Sequence, residues 1–307
     1  MNSAIILVLL FVAASAVRDV YFGEVFQRLE FFAVVLTAFS LTTVIFLSFV
    51  IVRGRRQIAA MRAAWREIAV TNIGTAMAWL SYFLALKLLE PAVVNMLHIG
   101  IGPVVLVALN LAGVHISGPA VVRKSELAIQ AGVFLTLAAL TAVVLLQLSG
   151  LGGRSTAQNI LGATLALASG VFISLTTDVT KRLNNMGVTA EGVLAVRFIG
   201  IVLIAALVVV LGSGGEKPTL PFDALWPVAA ASLVFMVLPL YALQLGVQRT
   251  STVSVWIVIS LSPAAVFAAQ ALDGRLVHSP YTLACILAYS ALALASNLMR
   301  KFETQPA

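Results

Sequence analysis

The chain has 307 residues, 61% of them hydrophobic and 10% charged, with a mean hydropathy of +1.06. A water-soluble domain needs about 25% charged residues to cover its surface, so a soluble globule is excluded and lipid is the solvent that fits. The net charge of +7 does not signal nucleic acid, because Lys and Arg fall in short clusters between apolar runs, the pattern of membrane topology.

A helix crosses the hydrocarbon core with about 20 apolar residues. Ten such spans are predicted, over 3–22, 31–52, 68–88, 91–112, 127–148, 158–180, 190–212, 224–246, 251–272 and 280–299. Ala14-Ser15-Ala16 in the first span resembles a signal-peptidase site. No Lys or Arg precedes the apolar run, however, so the charged start of a leader is missing and the span is predicted to stay. Arg18 and Asp19 interrupt its end. Either the helix stops there and both charges snorkel to the outer interface, or Arg18 turns into a cavity and binds a carboxylate.

In the third span Asn72, Thr75, Trp79 and Tyr82 recur at i, i+3, i+7 and i+10. In the fourth, Asn95, His98 and Gly102 recur at i, i+3 and i+7, again on one helical face. Such stripes either glue helices through hydrogen bonds worth about 0.6 kcal/mol each, or line a cavity. Cavity lining is the expectation here. Pro91 opens the fourth span, where its missing N–H costs little. His98 is the one histidine in mid-span and the candidate proton carrier, since an unperturbed imidazole titrates near physiological pH. The alternative for it is a neutral, hydrogen-bonded ring.

Among the later spans, the sixth carries Asp178 and the seventh carries Arg197, some seven residues in and after Glu191. A charge at mid-membrane costs roughly 2.5–3.5 kcal/mol on insertion scales, so Arg197 is a functional candidate or a bridge between helices. The eighth span repeats Tyr241, Gln244 and Gln248 at i, i+3 and i+7, and the ninth carries Trp256 and Ser260 at i and i+4. Pro239 and Pro263 free backbone carbonyls and are expected to bend these spans toward the cavity. Cys285 in the tenth cannot pair within the chain and reads as a small buried hydrophobe. No Cys/His cluster has zinc spacing, no phosphate loop or dinucleotide fingerprint is present, and no cofactor is expected.

Short loops such as Gly150-Leu151-Gly152-Gly153 and Gly212-Ser213-Gly214-Gly215 leave no room for a soluble domain. With the N-terminus in the cytoplasm, that side receives Arg53, Arg55, Arg56, Arg62, Arg66, Arg123, Lys124, Lys181, Arg182, Arg249, Arg300 and Lys301. The outer side receives only Arg18, Arg28, Lys87, Arg154, Lys217 and Arg275. This bias predicts both termini inside. The chain also repeats itself: a shift of 160 residues brings Pro103 onto Pro263 and Ala108 onto Ala268. Residues 1–150 and 151–307 are thus predicted to be two five-span repeats. Five is odd, so the two repeats point in opposite directions, as in many secondary transporters with a midplane substrate site.

Several stretches carry a family likeness. These are Arg197-Phe198 in the seventh span, Tyr82-Phe83-Leu84-Ala85-Leu86-Lys87 with Glu90-Pro91-Ala92 and Gly102-Pro103, the sixth span from Gly162 to Arg182, and Leu261-Ser262-Pro263. In these motifs and their order, nearly the whole chain resembles the drug/metabolite transporter superfamily, EamA-type branch. The resemblance implies an all-α fold of ten transmembrane helices as two inverted five-helix repeats. It also implies a central cavity lined mainly by spans one, three, four, six, eight and nine, and export of amino acids or other small metabolites. The chain departs from the family at Ala13-Ala14-Ser15-Ala16, where Trp-Gly is usual. It departs again at Thr37, opposite Arg197 in the repeat, and at Leu111-Ala112-Gly113-Val114-His115, where Leu-Gly-Glu is usual.

The expected function is secondary transport. A small amino-acid-like or amino-acid-derived metabolite, with an opine-type metallophore or an aromatic amino acid among the candidates, is exported across a bacterial inner membrane by alternating access. The expected partners are that metabolite, the lipid bilayer and protons as coupling ion, with no nucleic acid and no enzymatic activity. Arg18, Asn72, Trp79, Tyr82, Asn95, His98, Tyr241, Gln244, Trp256 and Ser260 are the candidate substrate-binding residues. Asp178, Arg197 and His98 are the candidates for gating or coupling; Asp178 stands opposite Arg18 in the repeat. An intramembrane enzyme acting on a lipid-linked substrate would need paired acid and base groups at one depth. A passive channel would conduct without saturation.

Overall fold

The computed structural model describes residues 3–113, 124–212, 222–250, 252–274 and 276–303, and these contain helices and no strand. The first four spans are α1 (Ser3–Arg28), α2 (Phe31–Arg53), α4 (Trp65–Leu88) and α5 (Pro91–Leu111), with a short Arg-bearing helix α3 (Arg55–Ala63) between the second and third. Then come α6 (Lys124–Leu145) and α7 (Thr156–Asn185). The seventh span divides into α8 (Ala190–Val196) and α9 (Ile199–Val210). The eighth is α10 (Phe222–Ser232), a π-helical turn over Leu233–Val237 and α11 (Leu238–Arg249). The ninth is α12 (Thr252–Ile259) and α13 (Ser262–Leu272), and α14 (Pro280–Glu303) closes the chain.

Local chemistry explains the boundaries. The Glu30 carboxylate accepts from the N–H groups of Phe32 and Ala33 and caps α2, satisfying donors that the first helical turn leaves unpaired. Ser155 and Gln158 form a reciprocal capping box at the start of α7. Pro239 cannot donate to the preceding turn, and the π-helical turn directly before it absorbs the register shift. Pro263 does the same to the ninth span, which breaks at Ser260–Leu261.

Among the described residues, eight helices are long and apolar enough to cross a membrane, and two shorter apolar helices, Ile257–Leu272 and Pro280–Ser296, stand where the last two spans are predicted. Val44, Ile73, Leu135, Leu203 and Leu287 project outward and are more than half exposed. An apolar skin of this kind suits hydrocarbon and not water. These features fit a multi-pass membrane protein. Of the two alternatives for Arg18 and Asp19, the snorkelling one fails. The first helix does not stop at Arg18 and Asp19 but runs ten residues further to Arg28, with both side chains buried, so neither snorkels to an interface.

The helices pack in a definite pattern. α4 and α5 lie against α7, and α11, α12 and α13 lie against α1. α2 packs on α8 and α9, α6 on α14, and α5 on α13. Gly170 lets the His98 carbonyl of α5 approach the backbone of α7, and Gly102 receives Ser174 in the same way, so a Cβ at either would collide. The connection before α7 is tied to the loop before α5, where Glu90 accepts from the Gly150 N–H, and to the loop before α14, where Ser279 donates to the Leu148 carbonyl at 2.5 Å. α1 packs along α4, whereas no comparable packing joins α7 to α11 among the described residues. A cavity lies where that contact is missing.

Candidate functional site

The cavity has a volume of about 160 Å³ and takes its walls from α1, α4, α5, α7, α11 and the start of α13. Trp79 and Tyr82 of one predicted stripe and Asn95 and His98 of the other line it, together with Arg18, Arg197 and Gln244, whereas Asn72, Thr75 and Gly102 of the stripes do not.

Its closed end is a charged network. Asp19 is fully buried and pairs with Arg18, 2.7 Å from Nη2 and 2.8 Å from Nε, both to Oδ1. The other oxygen, Oδ2, accepts from the Tyr82 hydroxyl at 2.5 Å and from the Asn95 amide at 3.0 Å. Burying a carboxylate is expensive unless it is paired and hydrogen-bonded, and here both conditions hold. The Arg18 guanidinium also lies over the Trp79 ring, 5.0 Å from its centroid, and 5.9 Å from that of Tyr82. Behind it, Phe22, Phe26, Phe39 and Phe83 stack into an aromatic plug.

His98 faces the cavity edge-on to Tyr82, with its Nδ1 2.6 Å from the Ser169 hydroxyl. The Ser169 hydroxyl also lies 3.0 Å from the Ala166 carbonyl, so it bridges the His98 ring to the backbone of α7. Arg197 caps the end of α8 and reaches Thr75 at 3.5 Å. Its sequence neighbour Glu191 turns elsewhere.

Unpartnered atoms distinguish this cavity from the rest of the interior. Among the described residues, fourteen side-chain polar atoms are buried without a hydrogen bond, and six of these belong to residues lining it. The donors are Arg18 Nη1, Arg197 Nε and Gln244 Nε2, the acceptors are Asn95 Oδ1 and Asn184 Oδ1, and the Ser15 hydroxyl can be either. Each such group costs about 1–3 kcal/mol in an apolar interior. Six around one hollow are what a polar ligand would satisfy.

Three predicted residues lie elsewhere. Asn72 uses its amide to hold the backbone, accepting from the Gly200 N–H at 2.8 Å and donating to the Ile68 carbonyl at 3.0 Å. Its stripe is split, with the lower half tethering the seventh span and the upper half lining the cavity. Ser260 bonds back to the Ile257 carbonyl at the break of the ninth span, and Ser262 takes its position on the cavity wall. Tyr241 donates at 2.9 Å to Glu191, which also pairs with Arg53 at 2.9 Å. These three residues line a second pocket of about 440 Å³, which meets the cavity at Asn184. The side chains of Asp178 and Trp256 fall outside the described ones.

Sequence reasoning missed Asp19, Lys181 and Asn184. Asp19 carried a signal, since an acid beside an intramembrane Arg is the cheapest way to bury either. Lys181 and Asn184 were assigned to a loop, but α7 runs on to Asn185 and brings both onto the cavity wall.

No protein-family model matches the chain, and no curated protein matches it. A crystal structure of another protein is similar over 99% of this chain and 100% of its own, with a TM-score of 0.65 and 20% identity. That likeness bears on the fold alone.

Proposed function

We propose that the chain is a secondary transporter of ten spans in two inverted five-helix repeats, which moves a small metabolite through the cavity by alternating access. The carrying observation is the set of unpartnered polar atoms around one hollow, walled by helices from both halves of the chain.

Symmetry supports the reading. Adding 160 to the bounds of α4, α5 and α2 gives 225–248, 251–271 and 191–213, close to the eighth, ninth and seventh spans. Packing follows the same exchange: α4 on α7 corresponds to α11 on α1, and α5 on α7 to α12 and α13 on α1. The pairing of α1 with α4 lacks its counterpart between α7 and α11. A transporter caught with one access route closed and the other parted has this asymmetry. The parted side carries Arg53, Lys181, Arg182 and Arg249, the side that the charge bias assigns to the cytoplasm.

The substrate in this reading is an amino-acid-like or amino-acid-derived metabolite, with Arg18 as carboxylate contact and the His98 ring as proton acceptor for coupling. The branch resembled is the EamA type of the drug/metabolite transporter superfamily, and export from a bacterial cytoplasm is the expected direction. Comparing metabolites in medium and cytoplasm, with and without the gene, tests the whole proposal. Reporter fusions that put the two termini on opposite faces would remove the ten-span topology.

A further inference from the structure

Among the described side chains, the charges on the cavity wall do not balance. Three cations line it: Arg18, Lys181 and Arg197. Only Arg18 has an acidic partner among the described residues, and no described acid lines the hollow. With Arg18 and Asp19 neutralising each other, Lys181 and Arg197 remain. A zwitterion of zero net charge would add no net negative charge opposite these two cations, whereas an anionic substrate would be held by both.

The cations are also spread out. Arg18 sits over Trp79 and Tyr82, while Arg197 bonds Thr75, four and seven residues back along α4. At 1.5 Å per residue this separates them by about 6–10 Å along the helix axis. Lys181 stands two turns beyond Ile173 on the opposite wall, toward the second pocket. Two anionic groups several ångströms apart would meet Arg18 Nη1 at one end and Arg197 with Lys181 at the other. At the Arg18 end, where Asn95 bonds Asp19 and Tyr82, its Oδ1 is without a partner and suits a hydroxyl or amine of the substrate.

Resting on the transport reading, we propose that the cavity selects a substrate of net negative charge with two or more carboxylates. Arg18 grips one carboxylate by its free edge, and Lys181 and Arg197 select for the second. The closing experiment is binding to the purified full chain in detergent, followed by thermal melting and titration at constant ionic strength, with succinate, citrate, phenylalanine and sulfate as probes. Succinate and citrate should raise the melting temperature saturably, and phenylalanine and sulfate should not. Lys181→Gln should weaken succinate about tenfold, the scale of one close charge pair, and Lys181→Arg should restore it. Because Arg197 also bonds Thr75, Lys181 is the deciding position. Stabilisation by phenylalanine but not by either polycarboxylate overturns the proposal. So does equal stabilisation by sulfate, or succinate binding that is unchanged in Lys181→Gln. Succinate counterflow in liposomes is a separate measurement. Binding without counterflow keeps the charge selection and removes transport, whereas counterflow of phenylalanine alone does the reverse.

Discussion

The two ends of the cavity differ in how their polar groups are satisfied. At the α1–α4 end, Asp19 is bonded by Arg18, Tyr82 and Asn95 and backed by stacked aromatic rings. At the α7–α11 end, Asn184 and Gln244 keep buried atoms without partners and Lys181 has no acid beside it among the described residues. At the first end the Asp19 carboxylate is fully satisfied, while Arg18 Nη1, Asn95 Oδ1 and the Ser15 hydroxyl are without partners. At the second no acid–base pair forms among the described side chains. Asp19 and Tyr82 should therefore report mainly on stability, Arg18 on stability and transport together, and residues at the second end mainly on transport.

The harshest test of that contrast is Asp19→Ala. It leaves Arg18 buried without its counter-charge and should cost about 3–5 kcal/mol, seen as loss of the monodisperse peak after heating in detergent. The double variant Arg18→Met, Asp19→Asn should recover much of the folding while losing transport. Next comes Tyr82→Phe, which deletes one hydrogen bond to a buried carboxylate and should cost about 1.5–3 kcal/mol, read by thermal melting. Gln244→Ala removes a buried amide whose nitrogen has no partner, so it should cost less stability than Tyr82→Phe yet lower transport about tenfold, a split that liposome uptake and melting resolve together. Equal losses of stability in Tyr82→Phe and Gln244→Ala would erase the distinction between the ends.

The smallest effect is a pH slope outside the spans. Burial holds the Glu90 carboxyl above the usual carboxylate range, against the lowering effect of the Gly150 N–H. The folded chain then keeps this proton more tightly than the unfolded one, so stability declines as pH rises from the ordinary carboxylate range through the raised value. Glu90→Gln should flatten the part of the melting-temperature profile that lies above the ordinary carboxylate range.

The stripes of the third and fourth spans were legible because helical periodicity alone decides which residues share a face. That is how Trp79, Tyr82, Asn95 and His98 could be grouped before any contact was known. Periodicity does not say what the face meets. Asn72 shares the stripe of Tyr82 but meets the backbone of Gly200, and Tyr241 shares that of Gln244 but meets Glu191. Those outcomes depend on where a neighbouring helix ends or breaks.

By itself, the sequence determined the helical class and the long apolar runs that fit a multi-pass membrane protein, because such runs admit few other solutions. Tertiary structure alone decided that Arg18 is buried against Asp19, that α7 carries Lys181 and Asn184 onto the cavity wall, and that α7 and α11 stand apart. The reason is that hydropathy is a local property of the chain, whereas the pairing of a buried charge depends on which distant side chains the packing brings within about 3 Å.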